Sequence, residues 1–171
     1  IGEVTDTWLH GKFFNRVELL EKFNIHFKDD LYSHEDVYFN STVLGNLIGH
    51  DLDYVYAEDI FTYKWVINPQ SISRSYYNTN HFYIETYLND YIIGASYPYF
   101  DMIDQYPEHK SFYVHQIMMT LLHAFFYFDA SKYRLGANNI LTHNITELHD
   151  FKVKICNELK ISEIDIINYI Y

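Results

Sequence analysis

The hydrophobic rhythm of the chain changes near its midpoint. Residues 3–14 are rich in β-branched and aromatic side chains and are expected to include a short strand, the aromatic and β-branched residues of 53–67 alternate as one bent strand or two short ones would, and IHF at 25–27 reads as another. Between them, NRVELLEKFN sets Val17, Leu20 and Phe23 at helical spacing, and a second helical run carries Val37, Val43, Leu44, Leu47 and Ile48. The polar KDDLYSHED segment puts Ser33 or His34 just before that second helix, and Gly49 is expected to close it. Asn68-Pro69-Gln70 breaks the last strand, and SISRSYYNTN reads as a loop. From His81 onward the period is helical, predicting helices over roughly 81–97, 109–128, 145–159 and 162–170, punctuated by Pro98, Pro107 and Gly136. The expected class is therefore α/β, an α+β unit over residues 1–78, followed by an all-helical region over 79–171.

Composition narrows the classes of function. With 171 residues, the chain can bury a core without metal or disulfide staples. Its 12 basic against 23 acidic side chains give a formal charge of −11, which repels phosphate backbones and anionic membranes, and the basic residues are scattered and form no patch. A nucleic-acid-binding module is disfavoured on that ground. No apolar run approaches the roughly 18 residues of a spanning helix, so no membrane partner is expected. The single cysteine, Cys156, rules out an internal disulfide and falls on an apolar helical face, as a buried and inert thiol does; a reducing compartment, the cytoplasm, fits. Ten histidines show no metal-ligand spacing, and His109, His115 and His123 along one helical stretch read as structural. HKSFYVHQIMMTLLHAFFYFDASKY is apolar nearly all round, the mark of a central helix, although such aromatic faces also suit stacking on sugars.

Chemistry concentrates at Glu35-Asp36. A carboxylate in the first turn of a helix is favoured by the macrodipole and by unpaired N–H groups, and taken alone the pair is a helix-start signal. The same position would hold a carboxylate rigidly enough to accept a proton from an attacking hydroxyl. The surrounding residues decide between these readings. WLHGKFFNRVELLEKFNIHFKDDLYSHEDVYFN, followed about thirty residues on by YKWVINPQSISRS, resembles the second half of the catalytic domain of family 2 glycosyltransferases with the GT-A fold. The resemblance is carried by Trp8, Gly11, Lys12, Phe13, Phe14, Arg16, Ile25, Phe27, Glu35, Asp36, Tyr63 and the segment from Ser71 to Arg74, in order and spacing over about 75 residues.

That resemblance implies inverting transfer of a sugar from a nucleotide-sugar donor to an acceptor hydroxyl, with Asp36 as base and Glu35 shaping the acceptor side. It places Trp8, His10, Lys12, Ser71, Ser73 and Arg74 among the substrate-binding residues, Lys12 and the serine-arginine loop beside the leaving diphosphate. It implies a divalent metal, Mn or Mg, held mainly by an Asp-x-Asp motif in an N-terminal half that should precede Trp8, and that half is an expected partner of this segment. Asp51-Leu52-Asp53 spells the motif but falls in a turn after the acidic helix, and Asn68 stands where many such enzymes have a late metal-ligand histidine, so no metal ligand is assigned here. The acceptor is open, nucleic acid included, and association of copies is compatible with the aromatic helices. The competing expectation is a non-catalytic binding or structural protein derived from a glycosyltransferase, using those helices as an interface.

Overall fold

The computed structural model describes residues 17–52, 81–135 and 146–170. They form α1 (Val17–Lys22), α2 (Glu35–Gly49), α3 (His81–Ile103), a 3-10 turn (Pro107–His109), α4 (Lys110–Leu135), α5 (Thr146–Leu159) and α6 (Glu163–Ile170). Among the described residues there is no strand, and this overturns the α/β class expected from the alternating pattern. IHF shows why. Asn24 adopts a left-handed φ of 50°, and the amides of Asn24 and Ile25 return to the carbonyls of Glu21 and Leu20, at 3.2 and 2.8 Å. This Schellman closure spends the first amide of the supposed strand on finishing α1, buries Ile25, and leaves Phe27 to stack on Phe39 of α2 at 4.6 Å. The strands expected over 3–14 and 53–67 lie outside the described residues.

Helix α3 is read from its buried stripe, Leu88, Ile92, Ala95, Tyr99 and Met102, spaced by four and three residues. It does not stop before Pro98, as the sequence pattern suggests, but runs through it to Ile103. Proline there removes the bond that would reach the Gly94 carbonyl, at a cost of about 3 kcal/mol in a helix interior, and burial of Tyr99, Met102 and Ile103 beyond it offsets that cost. Against α3 lie Tyr113, Ile117, Leu121 and Ala124 of α4, and Leu148, Phe151, Ile155 and Leu159 of α5, in one continuous cluster. Helix α6 begins with a reciprocal cap: the Ser162 amide donates to Asp165 Oδ2 at 2.8 Å, and the Asp165 amide donates to Ser162 Oγ at 3.3 Å.

Contacts along α2 set its direction. Residue 34 meets Gly94, Gly45 meets Met102, and Gly49 meets Tyr106, so α2 and α3 run parallel with α2 closely apposed. Thr120 Oγ1 donates to the Ala95 carbonyl at 3.1 Å and Tyr91 lies by His123 at 3.4 Å, so α4 returns antiparallel to α3. Gly49 is the last helical residue, yet the left-handed position belongs to Asp51 (φ 51°), with the Leu52 amide donating to the Leu47 carbonyl at 2.8 Å. The glycine serves close approach instead: a Cβ there would sit 2.5 Å from the Tyr106 ring.

Two buried phenols in this layer test the packing by opposite responses to one substitution. The Tyr113 hydroxyl donates to the Gly45 carbonyl at 3.0 Å and ties α4 to α2. The Tyr99 hydroxyl and Ser41 Oγ are both fully buried and adjacent, but they lie outside hydrogen-bond geometry, and we count both as unpaired. Burial pushes the Tyr113 phenol up to about 12 and the Tyr99 phenol above its ordinary value, so both are neutral donors. Tyr113→Phe is expected to cost about 1 kcal/mol, whereas Tyr99→Phe should be neutral or stabilising by up to about 1 kcal/mol, because it removes an unsatisfied group. Urea unfolding of the two variants against the parent checks the sign of each.

Candidate functional site

The residues before α2 dictate how it starts. Ser33 and His34 end a polar turn, and His34, the N-cap, takes a left-handed conformation (φ 59°, ψ 20°) with no side-chain capping bond. That geometry is costly for a residue bearing a Cβ, so something outside the helix must hold it. The holder is α3. The Ser33 amide donates to Asp90 Oδ2 at 2.9 Å, and the Ser33 hydroxyl donates to the same oxygen at 3.2 Å. The Tyr32 amide adds to the stabilisation of the charged carboxyl. One turn along α3, Gly94 lets the His34 carbonyl come so near that a Cβ would stand 2.9 Å from it. Between them Tyr91 meets the His34 ring edge-on, with centroids 5.4 Å apart. The His34 carbonyl then accepts the first helical bond, from the Tyr38 amide at 3.0 Å.

Electrostatics inside this junction are unusual for a helix start. Asp90 is 4 % exposed, and burial raises its carboxyl above the ordinary range against the lowering effect of the Ser33 and Tyr32 bonds. Burial brings the His34 imidazole down to about 4, which keeps it neutral at pH 7. His34 Nδ1 lies 3.0 Å from Ser33 Oγ. Since the single hydroxyl proton of Ser33 goes to the ionised Asp90, His34 Nδ1 carries a proton and donates to Ser33 Oγ, which fixes the tautomer. Ser33, His34 and Asp90 are the residue types of a nucleophilic triad in the wrong order. The hydroxyl stands between acid and imidazole and gives its proton to the acid, so nothing activates it for attack. The cluster is a brace.

The brace places the acidic pair. Glu35 and Asp36 are the first two residues of α2, Glu35 exposed and Asp36 half-buried. Around them are aromatic side chains: Phe39, one turn on, stacks on the half-exposed Phe27, and Lys28 Nζ lies 5.6 Å from the centre of the Tyr38 ring. Trp8, His10, Lys12, Ser71, Ser73 and Arg74 lie outside the described residues. Asp51 stands exposed in the turn closing α2. Among the described residues no three His, Cys, Asp or Glu side chains converge in a way that could hold a metal ion. His115 and His123 pair with Tyr169 and Tyr91, and Cys156 packs partly buried against the core. None of the described helices is long and apolar enough to cross a membrane.

Asp90 was missed by pattern reading, though a signal existed. In YLNDYIIGAS a lone acid interrupts an apolar stretch one helical turn before a glycine, as a buried polar contact beside a close approach would require. Comparison with family models, curated proteins and solved structures returns no match.

Proposed function

We propose that the chain carries the acceptor-activating part of an inverting glycosyltransferase. The acceptor oxygen attacks the anomeric carbon of a nucleotide-sugar donor, Asp36 takes the hydroxyl proton, and the bond to the nucleoside diphosphate breaks on the opposite face. Glu35 shapes the acceptor side. Trp8, His10 and Lys12 with Ser71, Ser73 and Arg74 bind substrate, the cations offsetting charge on the leaving diphosphate. The donor site and its divalent metal would belong to the nucleotide-binding half that the family resemblance implies. The reaction and the residue roles are kept from the family resemblance, and the α/β class is not. The observation that supports this reading is the half-buried Asp36 in the first turn of a braced helix, an end whose dipole suits an acidic side chain.

The test is a screen of the full-length protein against nucleotide sugars with alcohol acceptors, following nucleoside diphosphate release. Release that depends on both donor and acceptor is expected. No turnover of any nucleotide sugar would end the transferase reading. A non-catalytic interface role is favoured by one feature, the exposed Ile164, Ile167 and Tyr169 of α6, and would then be preferred.

A further inference from the structure

We infer that Asp90, which lies in the helical half of the chain, is a positioning residue for Asp36. Three neighbours on one stretch of α3 converge on the two residues before α2. Asp90 accepts the Ser33 amide and hydroxyl, Tyr91 packs edge-on against His34, and Gly94 admits the His34 carbonyl. A Cβ on Gly94 would also come within 3.3 Å of the Tyr38 amide and 3.4 Å of Val37 Cβ, both in the first turn of α2. Their common effect is to hold the peptide planes of residues 33 and 34, and through the left-handed His34 those planes set the angle at which the helix leaves the turn. Since Asp36 lies two residues further, a rotation there swings its carboxylate by the full length of the side chain. A displacement of about 1 Å at a reacting group can cost on the order of a hundredfold in rate, so the brace is where α3 would govern transfer.

The chemistry of this inference rests on the glycosyltransferase reading; its geometry does not. The measurement therefore has two arms on the full chain. Amide hydrogen exchange at Tyr38 and Phe39 reports the start of α2, in Asp90→Ala, in Asp90→Asn, which keeps an acceptor oxygen, and in Ile155→Ala, a core truncation in α5 that destabilises without touching the brace. Exchange at these amides should quicken by about tenfold or more in Asp90→Ala beyond that in Ile155→Ala, and Asp90→Asn should restore most of the protection. Equal acceleration in Asp90→Ala and Ile155→Ala, or no rescue by Asn, would overturn the inference. In the second arm, Asp90→Ala should lower kcat of transfer by about tenfold or more with KM for the nucleotide sugar little changed, again rescued by Asn. An unchanged kcat alongside accelerated exchange would also overturn it. If the parent protein transfers no sugar, the proposed function fails, and exchange alone decides whether Asp90 sets the helix start.

Discussion

Asp36→Asn should lower sugar transfer by about 10² to 10⁴-fold while leaving nucleotide-sugar affinity within a few-fold, because a positioned base contributes about that much. Asparagine matches the carboxylate in volume and is well accepted at helix starts, so α2 should form as before. The loss of a charge at the helix N-terminus costs about 0.3–1 kcal/mol, too little to unfold the chain. The effect should appear in kcat, since the proton moves only as the acceptor attacks. Glu35→Gln should be milder, because Glu35 is exposed and is assigned no proton transfer. Single-turnover transfer, with donor affinity measured separately, checks both; turnover of Asp36→Asn within a few-fold of the parent would remove Asp36 from its role.

The second large effect is on stability and needs no substrate. Unfolded, His34 titrates near its ordinary 6.5, whereas burial holds the folded group to about 4. Between those values the unfolded chain binds a proton that the folded chain refuses. The contribution of His34 is thus complete above pH 6.5, declines as pH falls toward 4, and is flat below. At about 1.36 kcal/mol per unit the loss is of order 3 kcal/mol. Asp90 and Asp101 act with the opposite sign: their carboxyls are raised by burial, so folding gains as pH falls through the interval above 3.8. The comparison that isolates His34 is the difference between parent and His34→Asn, asparagine being tolerant of the left-handed φ. Urea unfolding at pH 7 and pH 4.5 should show the parent losing about 2–3 kcal/mol more than the variant. Parallel pH profiles would mean that the imidazole is hydrated and the brace open.

Most helices were legible, and the reasons are local. Leu148, Phe151, Ile155 and Leu159 mark α5 by spacing alone, and Ser162 with Asp165 spells the start of α6. The misread elements have separate causes, one local and one tertiary. IHF has strand composition, yet its backbone closes α1. Pro98 has the form of a stop, yet α3 passes it because the buried face continues beyond. Gly49 does end α2 as expected, although its missing side chain serves the Tyr106 ring and Asp51 bears the left-handed turn. At the site, the helix start and the acidic pair were legible. The partner that holds them was not, because Asp90 is 57 positions away from Ser33 and only the parallel packing of α2 on α3 joins them.

The claim on which the account turns is that Asp36 takes the acceptor proton. It is tested most directly by the pH dependence of kcat/KM for transfer. The parent should show an acidic limb of unit slope, as one carboxyl must lose its proton before it can act, and Asp36→Asn should lose that limb from its residual rate while Glu35→Gln keeps it. An acidic limb that persists unchanged in Asp36→Asn would assign the proton to another group and contradict the account.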